Sequence, residues 1–182
     1  MKSVSACDRC DGWKEAFNLP KTPGRIWVVT NWAFEDDQLI LQRTWAQEGL
    51  PEAVWITFPV CSAEVPAGVN LADLKAKQRK SGHKIREACC LEVLQRVVRF
   101  SLPSLIVVVG KTVAKKLVFE GKGGPALPMR DLCGKILEIT PGRPFAGKVA
   151  IIRSPSEGGW EDGEDPLDGV QVDLQRLGKE LK

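Results

Sequence analysis

SLIVVVGKTVAKKLVF, residues 104–119, decides the fold. Five consecutive apolar residues, Leu105 to Val109, leave no polar alternate positions, so this strand is buried on both faces. Gly110 ends it, and KTVAKKLVF follows as a short helix. A buried strand passing directly into a helix is half of a βαβ unit, the building block of parallel sheets.

The same grammar recurs along the chain. RIWVVT at 25–30 and AVWITF at 53–58 read as buried strands, the first bounded by Gly24 and Asn31, the second stopped by Pro59. Between them, DDQLILQRTWAQE at 36–48 reads as a helix whose acidic first turn suits the helix dipole. Residues 62–83 read as a loop with a short helix, and 120–134 as a Gly/Pro-rich loop. KILEI and KVAIIR are two further strands. SPSEGGWEDGED, over 154–165, is a polar loop before an amphipathic helix at 166–182. A helix at 84–101 carries one apolar stripe through Ile85, Ala88, Leu91, Leu94, Val97 and Val98, and Pro103 ends it. The pattern predicts a single α/β domain over 1–182, a three-layer α/β/α sandwich around a mostly parallel sheet of four to five strands. Residues 1–24 form an irregular N-terminal segment.

Ligands in such sheets sit at the carboxyl ends of the strands. Those ends are Thr30-Asn31-Trp32, Phe58-Pro59-Val60-Cys61, Gly110-Lys111-Thr112 and Arg153-Ser154-Pro155-Ser156. Asn31 and Trp32 are candidates for a base pocket or stacking platform, or for a loop cap and a packed aromatic. Ser154 and Ser156 are candidates for a phosphate grip, or for a plain polar turn. Lys111 and Thr112 open a helix after a glycine, which suits either an anion or simple capping. Lys75, Lys77, Arg79, Lys80 and Lys84 form a basic run that contacts phosphates or is merely solvated.

The 182 residues are 43% hydrophobic and 27% charged, with a net charge of +3, values ordinary for a globular protein. With one histidine and no tyrosine, a mechanism needing two histidines is excluded. The N-terminus has no apolar core of a signal peptide, and no apolar run spans a bilayer, so an intracellular, monomeric protein away from membranes is expected. In that compartment clustered cysteines point to a metal or to catalysis. The six are Cys7, Cys10, Cys61, Cys89, Cys90 and Cys133. CDRC places two thiolates on one tight turn, Cys61 follows a strand end, and Cys89 or Cys90 lies in the first turns of the 84–101 helix. Four thiolates in this order suit an iron–sulfur cluster better than a zinc ribbon, which usually has a second CxxC. Zinc, or a set of buried reduced thiols, are the alternatives.

These residues resemble the iron–sulfur branch (family 4) of the uracil-DNA glycosylase superfamily. There an N-terminal CxxC precedes the first strand, a third cysteine follows the second, and a fourth lies in a helix of the form E-x-x-x-C-x-x-x-L. That helix is followed by a proline, a buried strand ending in glycine, and a small helix. EACCLEVLQRVVRFSLPSLIVVVGKTVAKKL, from residue 87, follows this course, as does Leu132-Cys133-Gly134-Lys135 before the next strand. The resemblance covers roughly residues 5 to 160. It implies a 4Fe–4S cluster held by Cys7, Cys10, Cys61 and Cys90, with Leu94 four places beyond Cys90 marking it over Cys89. It implies DNA, single- or double-stranded, as partner, and excision of uracil or a modified pyrimidine by N-glycosidic hydrolysis. On it, Asn31 and Ser154 take the catalytic positions. Thr30, Trp32, Phe34, Asn70, His83, Lys111, Thr112 and Ser156 then line the base pocket or contact DNA.

The active-site motifs depart from the family. Its Gly-Glu-Ala-Pro-Gly loop reads TNWAFEDD here, with Asn31 for the acidic residue, and its His-Pro-Ser loop reads Ser154-Pro155-Ser156. An asparagine is no general base, and a lost positioned donor typically costs about 10²–10³ in rate. The alternative expectation is therefore a glycosylase fold that binds DNA or a partner protein without catalysis.

Overall fold

The computed structural model describes residues 25–31, 35–58, 98, 102–119, 129–139, 147–156 and 165–182. In chain order the elements are β1 (Ile26–Asn31), α1 (Glu35–Gln47), β2 (Ala53–Phe58), β3 (Leu105–Val109), α2 (Lys111–Leu117), α3 (Met129–Leu132), β4 (Ile136–Ile139), β5 (Gly147–Ile152) and α4 (Pro166–Glu180).

The strands form one five-stranded sheet in the order β2-β1-β3-β5-β4. Pairs β1–β2, β1–β3 and β3–β5 are parallel, and β4 alone runs antiparallel, against β5. One register row crosses the whole sheet: Trp55, Val28, Val107, Ala150 and Ile136. Val28, Val107 and Ala150 are buried in the core cluster shared with Leu41 and Trp45 of α1 and Val170, Leu174 and Leu177 of α4, and the half-buried Trp55 and Ile136 pack against it. The next row, Ile56, Val29, Val108 and Ile151, belongs to the opposite cluster, with Val113, Ala114 and Leu117 of α2 and Leu132 of α3. Alternate residues therefore face different helix layers. That is why the strand sequences are continuously apolar, and why the expected α/β/α sandwich forms with a mostly parallel sheet.

Individual helices follow from local chemistry. Asp165 caps α4 by accepting from the Leu167 amide at 2.9 Å, and Pro166 occupies the first turn, where a missing N–H costs nothing. In α1, Asp37, Leu41 and Trp45 recur every four residues and all are buried. Trp45 fixes the turn into β2 by donating from Nε1 to the Pro51 carbonyl at 2.7 Å and stands edge-on to Trp55. The sequence reading placed residues 120–134 in a loop, whereas Met129–Leu132 form the short helix α3. Val98 is helical, and Leu102 donates its amide to the Val98 carbonyl at 2.9 Å, before Pro103. The rest of the expected 84–101 helix lies outside the described residues. No described helix is long and apolar enough to cross a membrane.

Candidate functional site

The sheet order places β2 on one side of β1, and β3 and β5 on the other, so the switch point lies between the carboxyl ends of β1 and β3. The described segments that follow these strand ends converge here. Thr30 and Asn31 close β1. Gly110, with φ 84°, carries the ladder one residue past β3 by donating its amide to the Ile152 carbonyl at 2.9 Å. A left-handed φ of this kind suits a residue without a Cβ. Lys111 and Thr112 begin α2 directly after it. Arg153, Ser154, Pro155 and Ser156 continue from β5.

The central feature is a carboxylate that the sequence reading assigned only to the helix dipole. Asp37, 2% exposed, stands in the first turn of α1. Ser154 donates its hydroxyl to Asp37 Oδ2, and Ser156 donates its hydroxyl to Oδ1. The Ser156 amide also approaches Oδ2, at 3.4 Å. Both serine hydroxyls are thus directed at one buried carboxyl group. The helix after the first strand and the loop after the last parallel strand are thereby clasped across the edge of β3. The sequence did contain a signal for Asp37, since it heads the same four-residue stripe as Leu41 and Trp45, at an inward register. An acidic residue there needs an internal partner.

A second polar cluster lies just behind the loop. Asp173 of α4, 0% exposed, accepts from the Arg153 amide at 2.9 Å, from Nε at 3.1 Å and from the terminal guanidinium nitrogen at 3.2 Å. Burial raises the Asp173 carboxyl above its ordinary value, and the Arg153 hydrogen bonds oppose that shift. Burial, and then the Asp173 charge, push the Cys133 thiol up to about 12. A thiol held protonated is neither nucleophile nor ready ligand, so Cys133 is a core residue. Gly134 has φ 75°, and a Cβ there would fall 2.6 Å from the Asp173 carbonyl oxygen. The Leu-Cys-Gly-Lys turn therefore brings the backbone close against α4.

The expected site residues divide as follows. Thr30 is buried, and its hydroxyl donates to the Ile56 carbonyl at 3.4 Å, which makes it a link between β1 and β2. Asn31 holds its expected place at the strand end. Ser154 and Ser156 stand together on Asp37. Lys111 is half-buried and Thr112 exposed beside the end of β3. Trp32, Phe34, Asn70, His83 and the basic run from Lys75 to Lys84 lie outside the described residues. So do Cys7, Cys10, Cys61, Cys89 and Cys90, although Phe58, three positions before Cys61, is the last residue of β2. Among the described residues no group of three His, Cys, Asp or Glu side chains is placed to hold a metal ion.

No family model matches the chain, and no curated protein matches it.

Proposed function

We propose that the chain is a DNA-binding module built on a uracil-DNA glycosylase-like fold, in which base excision has been lost. The observation that carries this reading is the commitment of both serine hydroxyls to Asp37. In excision, negative charge develops on the leaving base and needs a positioned donor. Ser154 stands where the resemblance puts that donor, but its single proton is already given to a carboxylate. A general base must also touch the water it activates. Asp37 is 2% exposed with both oxygens engaged, and an asparagine at 31 has no basic group.

The resemblance supplies the remaining parts. The donor set of Cys7, Cys10, Cys61 and Cys90 suits a 4Fe–4S cluster, with zinc as the alternative that four thiolates also hold. Such a group would tie the N-terminal segment to the segment after β2. Base excision remains the second reading, and one feature favours it: a carboxylate does stand at the ligand edge, contributed by α1 instead of the β1 end.

The test uses anaerobically purified protein. Iron and sulfide are quantified, and the same sample is incubated with single- and double-stranded DNA carrying uracil. DNA binding without abasic sites is the expected result. Abasic sites that disappear in Asp37→Asn would replace this reading with the second. Absence of DNA binding at low salt would overturn both.

A further inference from the structure

We propose that Asp173, on the C-terminal helix α4, is the positioning residue of the Ser154–Ser156 loop and acts on it through Arg153. The inference rests on the reading of that loop as part of the binding edge.

Arg153 is the hinge between β5 and the loop. Its backbone amide and its guanidinium converge on one carboxylate, at 2.9, 3.1 and 3.2 Å. Binding main chain and side chain of one residue to the same rigid group fixes both its position and its backbone orientation. A guanidinium presents its donors in a planar fork, so the pairing is directional. The next residue, Ser154, then has its path set before its hydroxyl reaches Asp37.

α4 is shaped for this contact. Gly169, one turn before Asp173, lies against the guanidinium, and a Cβ there would meet a terminal guanidinium nitrogen at 2.6 Å. On the other side, Gly134 lets the chain after α3 approach the Asp173 carbonyl oxygen. Gly169 therefore clears the space for the guanidinium, although glycine inside a helix is unfavourable by about 1 kcal/mol relative to alanine, and Gly134 clears the space beside the backbone that carries Asp173. Asp37 holds the loop from α1, and Asp173 holds its root from α4. The loop is pinned at both ends by buried carboxylates from two different helices.

The informative reporter is the Ser156 amide, which bonds to Asp37 and not to Asp173. Amide hydrogen exchange is followed residue by residue in the full chain, in wild type, Asp173→Asn and Arg153→Lys. Leu177→Ala serves as the control, because it loosens α4 packing without touching Arg153. Either variant of the pair is expected to speed Ser156 exchange at least tenfold relative to the amides of β3. In Leu177→Ala the two should change together. Ser156 exchange that stays at the wild-type rate, or that merely follows β3, overturns the proposal. If one variant fails to fold, the other decides.

DNA affinity supplies the second arm. Asp173→Asn is expected to weaken binding about tenfold in the wild-type background. It should have no effect where Ser154 and Ser156 are both alanine, whereas an independent structural defect would weaken both backgrounds equally. Faster Ser156 exchange in a protein that does not bind DNA would leave Asp173 as the positioning residue and remove the DNA-binding reading alone.

Discussion

Asp37 has two oxygens and receives three donors of its own chain: two serine hydroxyls and the Ser156 amide. Removing it leaves Ser154, itself buried, with a donor that has lost its partner. Hydrogen bonds to a charged group contribute about 1.5–3 kcal/mol, and stranding a buried donor adds its desolvation cost. Asp37→Ala is therefore expected to destabilise the fold by about 2–3 kcal/mol in urea unfolding. Asp37→Asn should cost less, because its carbonyl oxygen still accepts from one serine while its amide donates to the other. Equal stability of wild type and the alanine variant, within about 0.5 kcal/mol, would mean that the clasp adds nothing. The role of this residue was hard to see in the sequence. Its partner Ser154 is 117 positions away, and the acidic turn EDD already had a sufficient local explanation in the helix dipole. Only the inward register of Asp37, four before Leu41, distinguishes it from its neighbours.

Among the elements, those that were legible carry their own punctuation. AVWITF is stopped by Pro59 and matches β2 residue for residue. α4 was legible from its amphipathic pattern, and the structure adds that it begins at Pro166 behind a capping aspartate. The four residues of α3 are too few to show a helical period inside a stretch rich in glycine and proline. The antiparallel direction of β4 was equally hidden, since a four-residue apolar run does not encode which way it pairs. The turn between α3 and β4 depends on close approach, which makes its glycine testable against another. Gly49 also has a positive φ, 64°, but nothing lies within 4 Å of a Cβ there. Gly49→Ala should therefore cost only the left-handed backbone penalty, about 1–2 kcal/mol. Gly134→Ala carries the same penalty, and its Cβ would meet the Asp173 carbonyl oxygen at 2.6 Å and Arg176 Cβ at 2.8 Å. Neither neighbour is the free end of a flexible side chain, so α4 must shift, and the total loss should reach at least about 3 kcal/mol. Denaturation midpoints of the two variants, compared at equal slope, check the difference. Equal losses would show that α4 yields freely.

Across the whole molecule, charge is distributed against the simplest picture of a DNA site. Between Ser154 and Asp168 the chain carries Glu157, Glu161, Asp162, Glu164, Asp165 and Asp168, with no lysine or arginine. The segment leaving the carboxyl edge of the sheet is thus acidic and would repel phosphates. Net charge is only +3, so the proposed attraction to DNA requires a local concentration of cations. KAKQRKSGHK, residues 75–84, supplies one, with Lys75, Lys77, Arg79, Lys80 and Lys84 and no acidic residue among them. If these five neutralise one phosphate each on a duplex, the logarithm of affinity should fall with the logarithm of salt at a slope of about −4 to −5. Replacing all five with glutamine should flatten the line to near zero. Ser154→Ala should leave the slope unchanged, because a hydroxyl releases no counterion. Affinities measured between about 50 and 200 mM salt separate the two contributions, over the interval where several phosphate contacts change binding by orders of magnitude. A slope that survives the five glutamines would place the phosphate contacts elsewhere, with Lys111 and Lys115 of α2 the next cations to replace. A slope near zero in the wild type would mean that the acidic edge faces a partner other than DNA, and a cationic protein surface would then be the complementary chemistry.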